Sequence, residues 1–245
     1  LIFDFGKHAA EEDGVPGWSK LAIIAHHDCL GDLITLSPLL FNQHIPVFYI
    51  RELGVIDDAT AASIQGGDFT DLIALGVDKH IPDTFLAACA THGVKSERLI
   101  GKNPYDANEK INDLITSGQV EGERLTIDNL IVSSVWNPAD AFAAGAWAAK
   151  TDSAFLLEDP QNLDSVAHAI SYIKKKGGSV KHLTFLGDSS QFGRLDKEML
   201  GKAVQEALVD AGLADTGTED AQPAETERTD FTSADAASAN TQENE

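Results

Sequence analysis

Asp128 to Leu157 read DNLIVSSVWNPADAFAAGAWAAKTDSAFLL. An apolar run at Leu130–Val132 passes through Ser133 and Ser134 into Asn137-Pro138-Ala139-Asp140. A small-residue helix pattern follows, then a second apolar run at Ala154–Leu157. Strand, loop, helix and strand within about thirty residues is the size of a βαβ unit. The helix start is marked chemically. Asn137 suits the N-cap, Pro138 the first helical position, and the Asp140 carboxylate the positive end of the helix dipole. Ala141, Ala143, Ala144, Gly145, Ala148 and Ala149 predict a thin helix that can lie close on a sheet. Such a run of small residues loses little side-chain entropy in a helix.

The unit occurs twice. Leu21–Ile50, LAIIAHHDCLGDLITLSPLLFNQHIPVFYI, aligns without a gap on Asn129–Glu158, placing Asp32 on Asp140 at an offset of 108 residues. Further on, the segment 71–76 (DLIALG) resembles 182–187 (HLTFLG) at an offset of 111. Two matches in one order at nearly one spacing indicate an internal repeat.

Outward from these units the same alternation continues. Strands are expected at 45–50, 70–75, 94–99 and 180–186. Helices are expected over about 31–41, 58–66, 82–91, 104–116, 165–176 and 195–210, with Leu1–Ala10 a truncated helix. The central strands are continuous apolar runs, as required when helices cover both faces of a parallel sheet. The predicted class is α/β, with two Rossmann-like or flavodoxin-like parallel-sheet domains in tandem. The first spans 1–97 and the second 98–212. A tail, 213–245, carries nine acidic residues against Arg228 and no Ile, Val or Leu after Leu213. It cannot bury enough apolar surface to offset chain entropy and is expected to be disordered.

Composition excludes some functions. The net charge of −21 argues against a nucleic-acid partner, which needs a basic surface. No run of eighteen apolar residues exists, so no membrane-spanning helix is expected. Cys29 and Cys89 predict two buried thiols rather than a disulfide framework. Lys174–Lys176 close a helix, where cations suit the negative end of the dipole. No dinucleotide fingerprint and no nucleophile elbow is present, so neither a cofactor nor a catalytic residue is assigned.

Three motifs carry a family resemblance. Arg98-Leu99-Ile100-Gly101-Lys102-Asn103-Pro104-Tyr105-Asp106-Ala107, Asn137-Pro138-Ala139-Asp140-Ala141-Phe142-Ala143-Ala144 and Phe185-Leu186-Gly187 stand in order and at the spacing of the type 2 cell-wall-binding repeats of Gram-positive surface proteins. The chain departs from the usual pattern at Pro104 (an Arg in the family), at Ala107 (a Thr) and at Asp188 (a Gly). The resemblance covers nearly everything to about residue 210. It implies a non-catalytic module that anchors a secreted protein at the cell surface by binding an anionic, teichoic-type polysaccharide of the wall. It also implies that three repeats pack together. A third repeat upstream of Leu1, or an oligomer, is therefore expected. The implied ligand-binding residues are Arg98, Lys102, Asn103, Tyr105, Asn137 and Asp140, with no metal. Asn103 also reads as an N-cap, and Tyr105 as seam packing between the domains. Trp147 reads as core, and Trp136 as near a loop surface.

A second constellation stands apart. His26-His27-Asp28 follow the strand 21–25, in the loop position where open α/β sheets bind ligands. His and Asp in such a loop could ligate zinc. Ala25-His26-His27-Asp28 also resembles, over four residues, the start of the metal motif of zinc-dependent N-acetylglucosaminyl deacetylases. The alternative function is thus a metal-dependent hydrolase. The third reading is a purely architectural repeat pair without a ligand.

Overall fold

The computed structural model describes residues 17–120, 125–134, 137–187 and 191–214. The expectations for Leu1–Ala10, Trp136, Asp188 and the acidic tail lie outside these residues. The first sheet is parallel, with β1 (Leu21–His26), β2 (Val47–Ile50), β3 (Asp71–Leu75) and β4 (Lys95–Leu99) in the order β2-β1-β3-β4. Its helices are α1 (Leu30–Asn42), α2 (Asp58–Gln65) and α3 (Asp83–Thr91). Next come α4 (Pro104–Ile115), β5 (Thr126–Ser134), α5 (Pro138–Lys150), β6 (Ser153–Glu158), α6 (Leu163–Lys175), β7 (His182–Leu186) and α7 (Arg194–Asp210). The second sheet, also parallel, has the order β6-β5-β7.

The repeat read from sequence is repeated in hydrogen-bond register. Ile23 pairs with Val47 in the first sheet and Ile131 with Phe155 in the second, each shifted by the same 108 residues. Ile23 also pairs with Ile73, and Ile131 with Thr184, an offset of 111 for the outer partner. Register is fixed because a one-residue slip would turn each buried side chain to the opposite face.

The central strands β1, β3 and β5 are buried on both faces. Ile24, Phe48 and Leu72 pack toward α2 and α3, through Ile64 and Cys89. Ile23, Ile73 and Leu75 pack on the opposite face against α1 and α4, through Leu36, Leu39, Ile111 and Ile115. In the second sheet Leu130, Val132 and Leu156 face α6 and α7, while Ile131 and Phe155 face α5 and Ile34 of α1. The helices α1, α4 and α5 therefore form a middle layer between two sheets. The alanines explain how. Ala141, Ala144 and Ala148 are buried, and a Cβ placed on Gly145 would lie 1.9 Å from Ser37 Oγ of α1. Gly145 and Ser37 are repeat-equivalent positions, so the two equivalent helices cross at this point. Trp147 is not core: the residue is 48% exposed, because the alanine stripe rather than the indole faces the sheet.

The edge strand β6 is closed by side chains. Asn112 Nδ2 donates to Phe155 O at 2.8 Å, and Phe155 N donates to Asn112 Oδ1 at 3.2 Å. The amide reproduces the pairing of a neighbouring strand, which removes an open edge. Asn108 donates to Thr35 Oγ1 at 2.8 Å and to Phe155 O at 3.2 Å, tying α4, α1 and β6 together. No helix among the described residues is long and apolar enough to cross a membrane.

Candidate functional site

The helix start at Asn103 is as the motif predicts. Asn103 Oδ1 accepts from Asp106 N at 2.8 Å, and Pro104 takes the first turn of α4. Asp106 in turn accepts from Lys102 N at 2.7 Å and from Lys110 Nζ at 3.0 Å. The Lys102 N–H, with Lys110 beside it, holds the Asp106 carboxyl below its ordinary range. This start leaves Tyr105 beside α6. Asn162 Nδ2 donates to the Tyr105 hydroxyl at 2.9 Å, and the Tyr105 and His168 rings lie 5.7 Å apart in a tilted arrangement. Glu109 holds His168 Nδ1 at 3.2 Å. A groove of about 500 Å³ opens here, lined by Asn103, Tyr105, Asn162, Asp164 and His168 among others.

Other expected ligand residues are engaged elsewhere. The Arg98 guanidinium donates to Gly76 O and Ile81 O, both at 2.6 Å, and to Asp83 Oδ1 at 2.5 Å. It ties the loop after β3 to the start of α3. Asn137 caps α5 and donates to Asp140 Oδ2 at 2.7 Å, and Gln191 Nε2 donates to the same oxygen at 3.0 Å. Neither Asn137 nor Asp140 lines the groove. The lysines ending α6 are tied down. Lys174 pairs with Glu206 at 2.6 Å, and Lys175 and Lys176 pair with Asp113.

The histidine loop forms a second cluster at the C-terminal end of the first sheet. The chain leaves β1 for β2 on one side and later returns to place β3 on the other, so the loops after β1 and β3 meet at the switch in strand order. Open α/β sheets bind ligands at such switches. From β1 come His26, wholly buried, and Asp28, 48% exposed; from the β3 loop comes His80. The Asp28 carboxylate lies 3.0 Å from His27 Nε2, 3.4 Å from His80 Nε2 and 3.5 Å from His26 Nδ1. Gly76 makes room for His80. Its φ is +110°, and a Cβ there would meet His80 Nδ1 at 2.6 Å and Cys29 Sγ at 2.9 Å. Burial, then Lys79, holds His80 below the ordinary imidazole range. Burial, with the Asp32 charge, pushes the Cys29 thiol up to about 11, and the thiol donates to Leu75 O at 3.3 Å. Asp32 itself is raised to about 6 by burial. Both cysteines are free and buried.

Sequence reasoning found His26, His27 and Asp28 but not His80. It also missed Asn162 and His168 opposite Tyr105, and the buried carboxyl of Glu158 at the end of β6. Neither Glu158 oxygen has a hydrogen-bond partner among the described residues. Burial, then Asp196 and Asp159, raises its pKa to about 7.

No family model and no curated protein sequence matches the chain. Solved structures do match its fold. Cwp6 from Clostridium difficile aligns over 82% of this chain and 29% of its own, with a TM-score of 0.63 at 15% identity. Cwp8 from Clostridium difficile aligns over 80% of this chain and 30% of its own, with a TM-score of 0.55 at 15% identity. This chain is similar to both in fold. It spans less than a third of either neighbour's length.

Proposed function

We propose that the chain is a non-catalytic module associated with the cell wall, which binds a saccharide segment of an anionic secondary wall polymer and holds a secreted protein at the cell surface. One observation carries this reading: Tyr105, at the start of the helix bearing the wall-binding sequence pattern, lines an open groove with Asn162 and His168. An aromatic ring with a polar edge, an imidazole and amide groups suit a ligand with apolar ring faces and many hydroxyls. The two fold neighbours are cell wall proteins, which supports the same reading. Lys102, exposed beside the α4 N-terminus, is the cation placed to meet an anionic group of the polymer. Arg98 is withdrawn from the ligand set because its guanidinium is spent on two carbonyls and Asp83.

The reading also includes a partner repeat. Val47 and Tyr49 of β2 are 37% and 49% exposed, whereas the equivalent edge of β6 is covered by α4. A further repeat offering a helix like α4 fits that edge.

Co-sedimentation with Gram-positive walls tests the module. The chain should pellet with native walls and not with walls stripped of anionic polymer. Tyr105→Ala and His168→Ala should each weaken binding about tenfold, or about 1.4 kcal/mol. Equal pelleting with stripped walls, or full binding by both variants, would overturn the reading.

A further inference from the structure

The cluster of His26, Asp28 and His80 belongs to neither the groove nor the folding core, and its geometry is that of a ligand set. Three features converge. His26 ends β1, Asp28 lies in the turn after it and His80 in the loop after β3, and these meet at the strand-order switch of the first sheet. Neither proposed ligand nitrogen is strongly engaged: among the described residues His80 Nε2 has only the 3.4 Å approach of Asp28, and His26 Nδ1, on a fully buried ring, accepts only the 3.2 Å bond from Asp28 N. The spacing supplies the third feature. Ligands about 2.0–2.1 Å from a tetrahedral ion lie roughly 3.3 Å from one another. Asp28 Oδ2 stands 3.4 Å from His80 Nε2 and 3.5 Å from His26 Nδ1, and the three ligand atoms lie within 4.8 Å of one another.

We propose that His26, Asp28 and His80 bind one divalent transition-metal ion of the zinc class, with the fourth coordination position open toward solvent through the half-exposed Asp28. Two imidazoles and one carboxylate suit zinc and its neighbours in softness, whereas calcium and magnesium prefer an all-oxygen set. His27 Nε2, 3.0 Å from Asp28 Oδ1, holds the other carboxylate oxygen and so orients the ligand. The ion displaces one weak contact, the 3.2 Å hydrogen bond from Asp28 N to His26 Nδ1. Cys29 stays outside the set, because its thiol donates to Leu75 O. The site stands independently of the saccharide groove. The second sheet has no counterpart, since the residue equivalent to His26 is Ser134.

The test is titration calorimetry with zinc ion on the untagged full chain, stripped with a chelator and dialysed. One equivalent should bind, the melting temperature should rise on addition, and cobalt ion should give the visible bands of a four-coordinate centre. His80→Gln and Asp28→Asn lie in loops, so they spare the core. Each should weaken binding at least about tenfold, while His92→Gln, at an exposed helix end, should bind as the parent does. Less than a tenth of an equivalent bound, or unchanged affinity in folded His80→Gln and Asp28→Asn, would overturn the site.

Discussion

At the open end of the first sheet β1 finishes in His26 and β2 in Ile50; at the same place in the second sheet β5 finishes in Ser134 and β6 in Glu158. The pairs His26 with Ile50 and Ser134 with Glu158 occupy equivalent rungs of equivalent ladders. The first end carries imidazoles in the strand whose loop faces β3; the second carries a buried carboxyl at the outer strand. The repeat therefore conserves backbone position and apolar packing while the polar chemistry at each sheet mouth is independent. The outer edges differ as well. Asn112 closes β6 with an amide, and no described residue does this for β2, whose Val47 and Tyr49 are exposed.

The largest expected effect breaks the closed edge. Asn112→Ala leaves the buried Phe155 N–H without its acceptor and opens space around the lost amide, at a cost of about 4 kcal/mol. Tyr49→Ala, at a half-exposed position of β2, should cost less than about 1 kcal/mol. Equal losses in urea unfolding would show that the amide does not close the sheet.

Next is the buried carboxyl. The Glu158 pKa is raised from 4.5 to about 7 on folding. The folded state thus holds this proton more tightly than the unfolded chain does. Its favourable contribution is fully present below about pH 4.5 and is lost as pH rises through about 7. Glu158→Gln removes the charge while keeping the shape. It should match the parent near pH 4 and exceed its stability by about 3 kcal/mol at pH 9, using about 1.4 kcal/mol per unit. A stability difference independent of pH, in unfolding midpoints across that range, would contradict the assignment.

The smallest effect concerns the crossing of the equivalent helices. Gly145→Val drives a branched side chain into Ser37 and should cost about 2 kcal/mol through overpacking. Combined with Ser37→Gly, part of the loss should return, with a coupling of about 1 kcal/mol. Additive losses would place the strain elsewhere.

Much of this architecture was legible in the chain. The strand pairs align without a gap because apolar runs must fill both faces of a covered parallel sheet. Helix starts at Asn103 and Asn137 were readable because capping is local: an Asn side chain satisfies an amide three residues on. The groove beside Tyr105 was half visible. Asn103 and Tyr105 belong to a recognisable pattern, but Asn162 and His168 sit on a helix whose own sequence reads only as amphipathic. Arg98 looked available for a ligand because its carbonyl partners, Gly76 and Ile81, are invisible to composition. Trp147 looked buried because an alanine-rich helix suggests core, yet a thin stripe buries the alanines and leaves the ring outside.

By itself, the sequence determined the α/β class, the duplication and the helix starts. All of these rest on periodicity or on contacts within a few residues. Only the tertiary structure decided which loops share a sheet mouth. The strand order puts β3 beside β1, and so brings His80, 54 residues along the chain from His26, to the same carboxylate as His26. It also decided that an amide on α4 would complete β6 and that a carboxyl at the end of that strand would be buried with no hydrogen-bond partner among the described residues. Such contacts depend on how layers stack, and no local pattern of residues specifies that.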